Sequence, residues 1–144
     1  VRCLKWIKES YLKVPNNFNA YKVFVPKTNG TGALGEPLSN PVVGCPNVGH
    51  TVTFLSVGKF ETKSEAEACL LYVKTKFARA LLGSLKVTQD NPRETWSNIP
   101  IQDFSSSSDI DWNQPVPDID RQLYAKYGLS DAEIAFIESM IKPM

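Results

Sequence analysis

A glycine-rich run, several carboxylates, one histidine, three cysteines and a scatter of lysines are the groups in this chain that could act on another molecule. Gly30-Thr-Gly-Ala-Leu-Gly35 has Gly-x-Gly-x-x-Gly spacing, a pattern that brings backbone amides up to a phosphate where a strand turns into a helix. A strand-like run does precede it, but Glu36-Pro37 leads into more loop and not into a helix. The dinucleotide reading fails on that context. The glycines read instead as a loop whose backbone can approach a partner closely. Glu61-Thr-Lys63, with Glu36 as a distant acid, supplies the residue types of a metal-dependent nuclease, in which carboxylates hold a divalent ion beside a polarising lysine. The tripeptide is short and falls in a turn before a helix, where charged residues are ordinary. His50 is the only histidine, and Gly49 and Thr51 around it form no nucleophile elbow. A hydrogen-bonding loop residue is the simpler role for it. Cys3, Cys45 and Cys69 are odd in number, contain no Cys-x-x-Cys pair, and with His50 fit no zinc-site spacing. They read as free thiols in a reducing compartment, the cytoplasm. Asp109-Ile-Asp111 and Asp118-Ile-Asp120 lie in a serine-rich stretch and near a helix start, where solvation and capping account for them.

The cations are better placed to contact nucleic acid. Residues 1–90 carry 12 Lys+Arg against 6 Asp+Glu, and residues 91–144 carry 4 against 9, so a net charge of +1 conceals a basic N-terminal part and an acidic tail. Lys22, Lys27, Lys76, Arg79 and Lys86 are the candidate phosphate contacts, and Asn29 and Gln89 have side-chain amides that can read base edges. A solvated helix face with scattered lysines is the competing account of the same residues.

The elements that must position these groups follow from periodicity and punctuation. Residues 1–13 fit a strand leading into a short helix, or one short helix. Tyr21–Val25 is a strand stopped by Pro26. Residues 27–50 form a long loop with a short strand at Pro41–Gly44, and Thr51–Val57 is a second full strand. Gly58–Lys63 is a turn. Ser64-Glu-Ala-Glu67 reads as a capping box opening a helix that runs to Leu82 and stops at Gly83. Leu85–Thr88 is a short strand or the end of that turn, and the chain is irregular from Gln89 through the serine run 105–108. Helices at Asp118–Tyr127 and from a Ser130–Glu133 capping box to before Pro143 close the chain, the last with a broad apolar face. Together they give an α+β fold: a small, mostly antiparallel sheet packed against one central helix, with a C-terminal helical tail. Residues 1–104 form a recognition-like domain, and 105–144 a serine-rich loop and two-helix tail, packed as one unit. With 144 residues, 42% of them apolar and 22% charged, a packed core is accessible. No run reaches the roughly 18 apolar residues of a membrane span. The chain begins with Val and no signal peptide is visible, so it reads as part of a longer protein.

Several stretches resemble one family. They are Tyr21-Lys-Val-Phe-Val-Pro-Lys-Thr-Asn-Gly-Thr-Gly-Ala-Leu-Gly-Glu36, Tyr72-Val-Lys-Thr-Lys-Phe-Ala-Arg-Ala-Leu-Leu82, Leu85-Lys-Val-Thr-Gln-Asp90, Ile99-Pro-Ile-Gln-Asp-Phe104 and Phe136-Ile-Glu-Ser-Met-Ile-Lys-Pro-Met144. From Tyr21 onward the chain is similar to the C-terminal region of bacterial restriction-modification proteins with an adenine-specific DNA methyltransferase core. The resemblance implies target recognition on double-stranded DNA, beside a catalytic domain of the same polypeptide that uses S-adenosylmethionine. The Asn-Pro-Pro-Tyr-type motif of such a core is missing; Ser39-Asn-Pro-Val42 lacks its second proline and its aromatic. The resemblance therefore implies a fragment with no catalytic residue and no cofactor of its own. The loop Lys27–Glu36 is then the candidate for groove contact, and Lys76, Arg79 and Lys86 for phosphates. A metal-dependent nuclease and a structural module docking on a catalytic domain are the alternatives.

Overall fold

The computed structural model describes residues 4–28, 32–85 and 88–144. Cys3, Asn29 and Lys86 thus lie outside the described residues. The fold is α+β, and the described residues form a three-stranded antiparallel sheet and five α-helices. β1 (Tyr21–Pro26) is the middle strand, between β2 (Val42–Gly44) and β3 (Phe54–Phe60). β2 follows β1 through the long loop, with Val23 opposite Val43. On the other side Val25 faces Leu55 and Tyr21 faces Phe60, with a register shift between Tyr21 and Val23. β3 starts three residues later than its apolar run suggests. Residues 52 and 53 are turn, and the strand continues through Gly58 because a bulge there sets Gly58 and Lys59 of β3 against the single residue Lys22 of β1.

Alternation along β1 sends Val23 and Val25 into the main core and Lys22 and Phe24 to the opposite face. That face is not left to water. Gly44 seats against the Phe24 ring, which the His50 ring meets edge-on at 4.9 Å. Lys22 is 1% exposed.

The helix expected over residues 64–82 is two helices. α1 (Lys63–Lys74) and α2 (Lys76–Leu85) meet at Thr75, whose backbone turns to φ −59°, ψ 150°. Thr75 Oγ1 donates to the Tyr72 carbonyl at 2.6 Å and accepts from the Ala78 amide at 3.1 Å, ending one helix and opening the next. The start of α1 also differs from expectation. Its capping box is Thr62 with Glu65, while Glu67 pairs with Lys63 one turn along at 2.8 Å. Gly83 lies inside α2 and does not end it.

Beyond a short helix α3 (Arg93–Trp96), the segment that reads as irregular crosses the core. The Phe104 and Trp112 rings lie tilted against each other at 5.1 Å, and Phe60 and Tyr72 meet Phe104 at 5.6 and 5.8 Å. The Tyr72 hydroxyl donates to the Pro100 carbonyl at 2.6 Å, and Trp112 Nε1 to the Asp103 carbonyl at 2.9 Å. α4 (Val116–Lys126) and α5 (Asp131–Met140, capped by Ser130 and Glu133) follow. One buried cluster runs from Val23 through Phe104 and Leu123 to Ile141, so the core spans residues on both sides of position 104. Residues 4–14, by contrast, are exposed and form only a single 3-10 turn at Glu9–Tyr11. Among the described residues no helix is long and apolar enough to cross a membrane.

Candidate functional site

The structure separates the basic residues into two groups. Lys22 and Arg79 belong to the interior. Lys22 Nζ donates to the carbonyls of Phe18 (2.7 Å), Ala20 (3.0 Å) and Cys45 (3.0 Å), so its three protons are spent on backbone. Burial lowers its pKa, and Cys45 partly opposes this. Arg79 is 4% exposed. Its Nε donates to the Lys74 and Thr75 carbonyls at 3.2 and 3.3 Å, and its Nη2 to Lys142 at 2.5 Å. Neither side chain reaches a phosphate without giving up those bonds. Assigning them to DNA is corrected on that ground: the alternation of β1 and the break at Thr75 turn both inward.

Lys76 is half committed. Its Nζ sits 2.5 Å from Glu138 Oε2 and 3.1 Å from the Glu138 carbonyl, across from α2 to α5. Burial works against ionising Glu138, but the hydrogen bonds from Lys76 and Tyr124 outweigh it and hold the carboxyl below its ordinary 4.5. Asp120 completes this cluster. Its two oxygens accept from the amides of Lys76 (3.0 Å) and Phe77 (2.8 Å), the first two free donors of α2. Desolvation nevertheless pushes its pKa up, because those bonds replace only part of the lost water. Of the Asp118–Asp120 pair, Asp120 therefore caps a helix some forty residues upstream, whereas α4 has no side-chain cap and Asp118 pairs with Arg121 along it.

The segments that carry Lys27 and Gln89, far apart in sequence, pair through their backbones. Thr28 and Asp90 form an antiparallel bridge, the Asn91 amide donates to the Lys27 carbonyl at 2.6 Å, and the Lys27 amide donates to Thr53 at 3.0 Å. Both Lys27 and Gln89 are exposed. Gly32 and Gly35 permit close approach of the backbone here. A Cβ on Gly32, whose φ is +89°, would stand 2.9 Å from the Gln89 amide nitrogen. Gly35, at φ +86°, lies so close to the start of the C-terminal segment that a Cβ would stand 1.9 Å from the Met140 carbonyl oxygen. The Lys142 amide then donates to the Gly35 carbonyl at 3.0 Å. The loop's base is thus clamped by residues more than a hundred positions downstream, and Arg79 holds the same Lys142 from the other side.

The nuclease residues are not assembled. Lys63 is held by Glu67, Glu36 accepts from the Gly32 amide at 3.3 Å, and among the described residues no three His, Cys, Asp or Glu side chains gather where a metal could sit. Cys69 is buried, with its thiol pushed up to about 12 by desolvation, whereas Cys45 is exposed. His50 Nδ1 donates to the Thr51 carbonyl at 2.8 Å. A surface depression of about 610 Å³ between α4 and α5 is lined by Leu129, Ile134 and Tyr124, and the Tyr124 hydroxyl already donates to Glu138 at 2.9 Å. Sequence reasoning missed Asp120 as a cap for α2 and Asn91 as the residue joining the two loop segments; no local pattern marks either. Comparison with protein-family models, curated proteins and solved structures yields no significant match for this chain.

Proposed function

We propose that this chain is a DNA target-recognition module, and that its reading surface is the rim where the Lys27–Glu36 loop meets residues 88–91. The supporting observation is the Thr28–Asp90 bridge, which joins the segment that carries the exposed cation Lys27 to the segment that carries the exposed amide Gln89. A lysine fixes position on the phosphates, whereas an amide can exchange two hydrogen bonds with an adenine edge. The resemblance described above supplies the setting: a bacterial, cytoplasmic restriction-modification adenine methyltransferase whose catalytic domain, in the same polypeptide, carries the S-adenosylmethionine chemistry. On this reading the chain itself performs no methyl transfer.

Duplex binding by the chain tests the reading. Lys27→Ala should weaken all duplexes alike and lower the salt slope by about one. Gln89→Ala should change preference among sequences and leave the slope alone. Unchanged affinity and preference in both variants would remove the rim as the reading surface.

A second reading has its own observation. Leu4, Trp6, Ile7 and Tyr11 are 88%, 101%, 62% and 75% exposed. Clustered apolar exposure of this kind marks a surface made to be covered. It favours docking of this segment on a neighbouring domain, which is compatible with recognition at the opposite task. A Trp6→Ser chain that binds DNA normally but no longer associates with a catalytic domain supplied in trans would separate the two roles.

A further inference from the structure

The segment that follows α5 is anchored without help from the glycine-rich loop. Ile141 is 1% exposed and belongs to the main core cluster. Its amide donates to the Ile137 carbonyl at 2.9 Å, which carries the end of α5 into the segment. Arg79, buried in α2, donates Nη2 to the Lys142 carbonyl, and Lys76 of the same helix pairs with Glu138. Within loop residues 32–36, by contrast, two polar bonds are local and long. The Gly32 amide donates to Glu36 Oε2 at 3.3 Å, and the Glu36 amide to the Ala33 carbonyl at 3.5 Å. A shorter bond, 3.0 Å from the Lys142 amide to the Gly35 carbonyl, ties this limb to the anchored segment. At the same point Gly35 leaves no room for a Cβ beside the Met140 carbonyl. The contact is backbone on both sides, so no side chain in the sequence marks it.

We infer that residues 140–142 are a positioning strap for the glycine-rich loop: the Lys142 amide, fixed by the core and by Arg79, sets where the Gly35 limb stands and so how the rim meets a duplex. The dependence runs one way. Without the bond to Gly35 the strap keeps Ile141 in the core, Arg79 on its carbonyl and Glu138 on Lys76, whereas the loop limb loses a bond to a core-anchored neighbour. The effect on the loop follows from this geometry alone. The effect on duplexes rests on the recognition reading proposed above.

Lys142→Pro tests the strap at one atom. Proline removes the amide proton and keeps the carbonyl that Arg79 holds. The Ile141 backbone, at φ −94° and ψ 116°, is already in the extended region that a following proline requires. Lys142→Ala loses the same charge but keeps the amide, so it is the reference. Amide exchange at Gly32 and Glu36, followed by NMR, should be roughly two- to tenfold faster in Lys142→Pro than in Lys142→Ala, with α1 alike in both. In the wild-type chain a scalar coupling across the hydrogen bond should join the Lys142 amide nitrogen to the Gly35 carbonyl carbon. Equal loop exchange in the two variants, absence of that coupling, or unfolding of the whole chain by the proline would each overturn the inference. In duplex titrations Lys142→Pro should discriminate among sequences severalfold less than Lys142→Ala. Equal discrimination, in an assay where Gln89→Ala does change preference, would overturn the positioning role. If Lys27→Ala and Gln89→Ala also leave binding unaltered, the recognition reading has failed, and the strap is upheld by faster loop exchange in the proline variant.

Discussion

Lys22 illustrates how far a side chain's type can mislead about its place. A lysine in an exposed-looking strand reads as a phosphate contact, but here its ammonium lies over the Phe18 and Phe24 rings, 5.6 and 5.8 Å from their centres, and closes three backbone carbonyls. Hydrogen bonds to a charged group contribute about 1.5–3 kcal/mol each at most, and the carbonyls left behind carry their own desolvation cost. Lys22→Ala should therefore lower unfolding free energy by about 3 kcal/mol in urea titrations, while the salt dependence of DNA binding per folded molecule stays as it was. Gly35→Ala places a methyl carbon into the Met140 carbonyl at a positive φ, and a loss of roughly 2–4 kcal/mol is expected by the same titration. The glycine run was legible in the sequence as a close-approach loop. What it approaches was not, because Gln89 and Met140 reach it only through tertiary packing. The Asn91 side chain carried no signal at all, since asparagine next to proline reads as a turn.

The elements themselves were mostly legible. β1, β2 and the Ser130 cap of α5 follow directly from β-branched runs, prolines and capping pairs. The misreadings share a physical origin: two local solutions of similar energy, decided by distant contacts. Thr62 and Ser64 both begin an S/T-x-x-E pattern, and the chain uses the earlier one. At Thr75 no glycine or proline announces a break. The break is stabilised from outside by the Asp120 carboxylate on the Lys76 and Phe77 amides. Removing that cap with Asp120→Ala should cost about 1–2 kcal/mol, near the upper part of the range for N-cap losses, because the amides are buried. Hydrogen exchange should quicken at the first turn of α2 before it does in α1; equal exchange in both would show that Thr75 alone holds the junction.

Across the molecule, stability at low pH depends on carboxylates that are ionised in the fold. Glu138 titrates below its ordinary 4.5 when folded, so its contribution is complete above that value and is lost as pH falls through the lowered one. Asp120 is shifted upward, and its share runs the other way: present in acid and lost as pH rises through the raised value. Glu138→Gln should therefore flatten the decline of stability below pH 4.5, measured by thermal melts across a pH series, and an unaltered slope would show that the Lys76 pair carries no acid sensitivity. The charge asymmetry read from the sequence does not define one basic face, because its buried members serve the interior and the acidic tail supplies Glu138 as a partner to the half-buried Lys76. The clamp on Gly35 has a consequence in time. Lys142 leaves the ribosome roughly a hundred residues after the loop it fastens, so at about 5–20 residues per second the rim waits on the order of ten seconds, in every new chain, for the segment that completes it.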